Sequence, residues 1–77
     1  MENLIEQIVK ELVDKPDEVT VTPVESERTI IYELHVGDGD LGKVIGKRGR
    51  TAGALRTIIS AISAKGGGKR ALLEIVE

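Results

Sequence analysis

Residues 46–49 (GKRG) constrain the fold more than any other segment, because they separate two stretches in which apolar residues recur at helical spacing. The two glycines carry no Cβ, so the backbone can turn sharply there and a ligand can approach it closely. The spacing predicts a short helix over residues 41–45, a turn, and a longer helix from residue 50 to about residue 64. The two cations between the glycines suit an anionic ligand.

Charge is segregated along the chain. Residues 41–73, called the basic window below, contain eight Lys or Arg residues and no carboxylate, whereas residues 1–40 carry eleven carboxylates against three cations. The overall net charge of -2 and the pI of about 5.4 would by themselves argue against a nucleic-acid ligand. A local basic face can nevertheless attract a polyanion, and the basic window predicts such a face.

The remaining pattern predicts a single domain over residues 1–77. A first amphipathic helix should end near Asp14, because Pro16 follows closely and the residue before a proline avoids the helical region. Strands are predicted over residues 19–24, 29–36 and 70–76, and Pro23 suits the first of them to a sheet edge. Asp40 is expected to cap the helix that begins at residue 41.

These elements give an α+β fold in the order α-β-β-α-α-β. A short turn joins the first two strands, which predicts antiparallel pairing. Two helices connect the second strand to the third, which predicts a parallel pairing with a right-handed crossover. Three helices would then cover one face of a three-stranded mixed sheet.

Composition excludes several classes of protein. Without cysteine the chain can form neither a disulfide framework nor a thiolate metal site, and one histidine without convergent carboxylates offers no nucleophile and base pair for an enzyme. No cofactor, metal or small-molecule substrate is expected. No segment reads as a signal peptide or a membrane span, and the composition is compatible with a cytoplasmic protein.

Two nucleotide-binding motifs match the glycines only superficially. Residues 37–42 fit GxGxxG, but their two aspartates would repel a pyrophosphate, and the expected acidic residue about 20 positions later would fall in the carboxylate-free window. Residues 42–47 approach a P-loop, but they are one residue short between the glycines and are followed by Arg48 where a magnesium-binding Ser or Thr is required. We therefore expect neither motif to bind a nucleotide.

The segment 44–49, Val-Ile-Gly-Lys-Arg-Gly, resembles the V-I-G-x-x-G core of the KH family of nucleic-acid-binding domains, and like that core it lies between two predicted helices. The element order resembles the bacterial, type II version of the family. The resemblance covers essentially the whole chain, and residues 40–56 are similar to the small single-domain bacterial members. One difference is Ala52, where the family often has a bulky aliphatic residue, and the smaller side chain suggests a wider or shallower groove.

The resemblance implies that the turn clamps about four nucleotides of single-stranded RNA by their backbone, while the bases lie in an aliphatic groove. Tyr32, the only aromatic residue, is predicted on the core face, so base stacking on aromatic side chains is not expected. The predicted RNA-binding residues belong to the turn, the groove and its basic rim: Gly46, Lys47, Arg48, Gly49, Lys43, Val44, Ile45, Arg50, Ala52, Arg56, Lys69 and Arg70.

Simpler interpretations remain open for several of these residues. At least one of Val44 and Ile45 is expected in the core. Four cations of the basic window could each be an ordinary solvated side chain: Lys43, Arg56, Lys65 and Lys69. Gly53, inside a predicted helix, indicates close packing, a close backbone approach or mere tolerance.

An alternative function is a protein-interaction module with little RNA affinity, in which Ile31, Leu72 and Val76 form an apolar patch on the outer face of the sheet. The family resemblance also implies a homodimer, or a heterodimer with a larger KH-containing partner, and a role as a post-transcriptional regulator or RNA chaperone.

Overall fold

The structure is a computed structural model and describes residues 1–76. Helix α1 spans Glu2–Leu12, and strands β1 and β2 span Thr20–Glu25 and Thr29–His35. Helices α2 and α3 span Leu41–Ile45 and Arg50–Gly66, and strand β3 spans Arg70–Val76. The predicted order α-β-β-α-α-β is confirmed. Helix α1 ends two residues before the expected Asp14, and Pro16 begins a short 3-10 turn instead.

The three strands form one mixed sheet in the order β1-β2-β3, as predicted. Strand β2 pairs antiparallel with β1 and parallel with β3. Both outer strands are therefore edges. The N–H of Ser26 donates to the Thr29 carbonyl at 2.8 Å. Counting back from Ser26, every second residue of β1 directs its backbone N–H and carbonyl toward β2, and position 23 is one of those that direct them away from β2. Pro23 accordingly sits where its missing N–H removes no hydrogen bond from the sheet.

The core is aliphatic and lies between the helices and one face of the sheet. Tyr32 belongs to it and is 8% exposed, which confirms its predicted position. Burial, together with the nearby charges of Glu2 and Glu25, raises the pKa of the Tyr32 phenol above its ordinary value. The buried hydrophobic residues come from every long element: Ile5, Val9, Val19, Val21, Tyr32, Leu34, Val44, Ala52, Leu55, Ile59, Ala71 and Leu73.

Asp40 does not cap α2 with its side chain, so that prediction is wrong. Its backbone is helical (φ -95°, ψ -10°), whereas a capping side chain normally needs an extended residue. The buried carboxylate instead accepts hydrogen bonds from the backbone N–H groups of Asp14 at 3.2 Å and Lys15 at 2.9 Å. Asp40 therefore ties the segment after α1 to the start of α2.

Candidate nucleic-acid interface

The turn between α2 and α3 contains three residues with backbone conformations that side chains rarely adopt. Gly46 has φ 76° and ψ 172°, and Arg48 (φ 59°, ψ 26°) and Gly49 (φ 73°, ψ 12°) are both left-handed. The N–H of Gly49 donates to the Gly46 carbonyl at 3.1 Å, which closes the turn. Arg48 is the only residue other than glycine with a positive φ among residues 1–76, and such outliers concentrate at functional sites.

The two glycines of the turn are required for different reasons. A Cβ added to Gly46 would lie 2.2 Å from Oγ1 and 2.9 Å from the backbone N of Thr51, so the side of the turn facing α3 has no room for one. A Cβ added to Gly49 would meet nothing within 4 Å. Gly46 therefore packs the turn against α3, whereas Gly49 leaves an open approach to the backbone.

Three exposed cations surround this open side. Lys47, Arg48 and Arg50 line one cavity of about 250 Å³ at the start of α3. None of the three forms an ion pair with a carboxylate in the described part of the chain. The positive end of the α3 dipole lies at the same place. The turn thus combines unneutralised charge with accessible backbone, as the sequence predicts.

Two other predicted contacts are paired with carboxylates. Lys43 forms ion pairs with Asp14 at 3.1 Å and with Asp40 at 3.7 Å, and Lys69 pairs with Glu25 at 2.9 Å. The hydrogen-bonded carboxylate of Asp14 is the main cause of the raised pKa of Lys43. An RNA phosphate would have to compete with these carboxylates, so both lysines are weaker candidates than the cations of the turn.

A groove lies between α3 and the edge strand β3. Arg56 and Arg70, both predicted as rim contacts, line the same cavity of about 220 Å³, together with Ser60 and Leu72. A neighbouring cavity of about 420 Å³ continues along Ser63 and the glycines after α3. The sequence does not indicate that Ser60 or Leu72 lines the groove, because periodicity shows which face of an element is buried but not where two elements leave a gap.

The aliphatic residues of the site divide between core and surface. Val44 is 0% exposed and Ala52 is 3% exposed, so both lie beneath the surface and neither presents its side chain to a ligand. Ile45 is 37% exposed and remains available. A Cβ added to Gly53 would meet nothing within 4 Å, so close packing within the protein does not explain that glycine.

Within residues 1–76, no cluster of His, Asp or Glu side chains could hold a metal ion. Across the same residues, no helix is both long enough and apolar enough to span a bilayer.

The element order and the GxxG turn between α2 and α3 define a KH domain of the type II order. The family described as "KhpA/KhpB, KH domain" matches residues 2–75, and the chain belongs to this family. Relatives named RNA-binding protein KhpA include one from Aquifex aeolicus, 53% identical over 100% of this chain and 96% of its own length. The Listeria monocytogenes relative is 48% identical over 100% of both chains. That from Clostridium acetobutylicum is 53% identical over 99% of this chain and all of its own. No solved structure matches the chain significantly.

Proposed function

We propose that this protein binds short single-stranded RNA by clamping the sugar-phosphate backbone at residues 46–49. Its family is not an enzymatic one, and the relatives described above carry the name RNA-binding protein. The observation that carries the proposal is the combination of an open glycine backbone with three exposed, unpaired cations at one end of α3.

The turn suits phosphate groups for physical reasons. Gly49 leaves its surroundings open, so a phosphate can reach the first turn of α3, where backbone N–H groups have no partner within the helix. Lys47, Arg48 and Arg50 supply charge that no protein carboxylate neutralises. Backbone contacts of this kind position a nucleic acid without reading its sequence.

The bases then lie in the groove between α3 and β3. Ile45, directly before the turn, offers exposed aliphatic surface, whereas Val44 and Ala52 are buried and contribute only to the packing of the core. Arg56 and Arg70 line the groove and form its basic rim. Lys43 and Lys69 are secondary contacts that must first leave their carboxylate partners. With Tyr32 buried, no aromatic side chain stacks on a base, and one copy of the domain binds weakly.

Weak binding by one domain favours assemblies in which several copies act on one RNA, because a second contact benefits from a high effective concentration. The proposal therefore includes a homodimer, or a heterodimer with a larger KH-containing protein of the KhpB kind. It places the protein in the cytoplasm as a post-transcriptional regulator or RNA chaperone.

The test is single-stranded RNA binding by the wild type and by Lys47→Asp/Arg48→Asp, with circular dichroism confirming that both are folded. We expect the double variant to lose binding while keeping its fold. Each single substitution is compared with Lys65→Asp, which removes an exposed cation of the basic window at the other end of α3 and should have a much smaller effect. Equal affinity of the wild type and the double variant would contradict the clamp.

A salt titration gives a second measurement. Three or four phosphate contacts to a single strand predict a slope of about -2 to -3 when the logarithm of the association constant is plotted against the logarithm of salt concentration. A slope near zero would show that the basic window is not the binding face.

A protein-interaction module is the second candidate. The outer-face residues Ile31, Leu72 and Val76 are half-buried, but α3 exposes Ile58 (43%) and Ile62 (41%), which could contact another protein. This alternative would be favoured if the wild type has no measurable affinity for single-stranded RNA but does bind a protein partner.

A further inference from the structure

Ser63, in the last turns of α3, bonds to two backbone groups of the next element. Its hydroxyl donates to the Lys69 carbonyl at 2.8 Å and accepts from the Ala71 N–H at 3.0 Å. These two groups flank Arg70, one on each side along the chain. A single side chain thus holds both peptide groups next to a residue that lines the proposed RNA groove.

The strand pairing shows why these two groups need a partner. The Arg70 N–H donates to the Arg28 carbonyl at 3.1 Å, so the polar backbone groups of Arg70 face β2. In a strand, adjacent residues direct these groups to opposite sides. The Lys69 carbonyl and the Ala71 N–H therefore face the free edge of the sheet, where no further strand pairs with them.

The segment that Ser63 anchors contains three consecutive glycines, residues 66–68. Glycines lose more conformational freedom on ordering than other residues, so such a connection does not hold β3 at a fixed distance from α3 by itself. The hydroxyl of Ser63, which is half-buried, links α3 directly to the start of β3.

We propose that Ser63 is a positioning residue for RNA binding. It fixes the backbone on both sides of Arg70 and so holds this lining residue in place along the groove. It also accepts the hydrogen bond of the Ala71 N–H, the first donor on the free edge of β3. The first backbone groups of this edge that can bond to a base are therefore the Ala71 carbonyl and the Leu73 N–H. This inference rests on the proposed RNA-binding function.

The first part of the test does not depend on RNA. Ser63→Ala should fold, because alanine favours the helix, and hydrogen exchange of the Ala71 amide, measured by NMR, should accelerate by roughly 3- to 10-fold. Ser63→Thr keeps the hydroxyl and should retain slow exchange. Ser60→Ala, one turn earlier on the same groove wall, is the matched control and should leave the Ala71 amide unchanged.

The second part is a double-mutant cycle on RNA affinity. Ser63→Ala should weaken binding by about 3- to 10-fold in the wild-type background, and by much less when Arg70 is already alanine, because the two residues act as one unit. With Arg48→Ala, which lies at the other end of α3, the effects should multiply independently. Ser63→Thr should bind as the wild type does.

The outcomes separate the two hypotheses. If the wild type binds no single-stranded RNA, the proposed function and this inference both fail. If the wild type binds but Ser63→Ala has unchanged affinity, or its effect is the same with and without Arg70, the RNA-binding function stands and the positioning role of Ser63 is wrong.

Discussion

Glycines flank both ends of α3, but the two ends are stabilised by different contacts. At the N-terminal end, Gly46 is packed so closely against Thr51 that no side chain fits. At the C-terminal end, Gly67 also has a positive φ of 67°, yet a Cβ there would meet nothing within 4 Å. The first end is fixed by backbone packing, whereas the second depends on side-chain links from Ser63 and Glu25.

The cations follow the same division. Lys47, Arg48 and Arg50 at the first end have no carboxylate partner in the described chain, whereas Lys69 at the second end pairs with Glu25. A rigid backbone with free charge suits a clamp for phosphates. A linked, partly neutralised loop suits the boundary of a groove. Glycines alone therefore do not identify the binding site. The contacts and charges around each glycine distinguish the two ends.

The largest effect is expected at Gly46, and Gly67 at the other end of α3 provides the comparison. Gly46→Ala should lower the free energy of unfolding by about 3 kcal/mol or more, because it combines a disallowed backbone conformation with a clash against Thr51. Gly67→Ala should cost only about 1 kcal/mol, since its strain is not accompanied by a clash. Denaturant unfolding measures both values, and equal losses would contradict the comparison.

Asp40 should stabilise the link between the segment after α1 and the start of α2, in a pH-dependent way. Burial raises its pKa, but the N–H groups of Asp14 and Lys15 and the charges of Lys43 and Lys15 outweigh this and leave the pKa below its ordinary value. A lowered folded-state pKa stabilises the protein above the unfolded-state pKa of about 4, and this stabilisation is lost as the pH falls through the folded-state pKa.

Asp40→Asn should therefore reduce the thermal unfolding midpoint by several degrees at neutral pH and flatten its decline below about pH 4. Asp38→Asn removes the same charge at an exposed position two residues earlier and serves as the control. Parallel acid unfolding curves for the wild type and Asp40→Asn would refute the assigned role.

Arg48 allows backbone strain and charge to be separated within the turn. Arg48→Gly should raise the free energy of unfolding by about 0.5–1 kcal/mol by relieving a left-handed arginine, while RNA affinity falls by about 3- to 10-fold. Lys47→Gly is the matched control: Lys47 has no positive φ, so this variant should lose both stability and affinity. A loss of stability in Arg48→Gly would show that the left-handed conformation is not strained.

The smallest effect is expected at the second end. Glu25→Gln should release Lys69 from its exposed ion pair, changing stability by less than about 0.5 kcal/mol and raising RNA affinity by about 2-fold or less. Glu27→Gln makes the same charge change two residues away. Identical RNA affinities for the two variants would show that the ion pair does not hold Lys69 back from RNA.

The sequence predicts the elements and their order well, because the core is aliphatic and its periodicity is clear. Periodicity cannot show which distant backbone groups a side chain will reach, so the sequence predicts that Asp40 caps the helix it precedes, whereas its carboxylate binds the amides of Asp14 and Lys15. It also cannot show that Val44 and Ala52 lie below the surface or that Lys43 is paired. These facts depend on contacts between residues far apart in the chain.

Pro23 makes the two edges of the sheet unequal. Its position on β1 faces outward and offers no hydrogen-bond donor, so another β-strand cannot add there with a complete ladder. The opposite edge, β3, begins with Arg70 and adjoins the basic loop after α3. The missing donor disfavours the addition of a strand from another copy at β1. At β3, repulsion between the positive charges of approaching copies disfavours it, whereas a negatively charged polymer can still bind there.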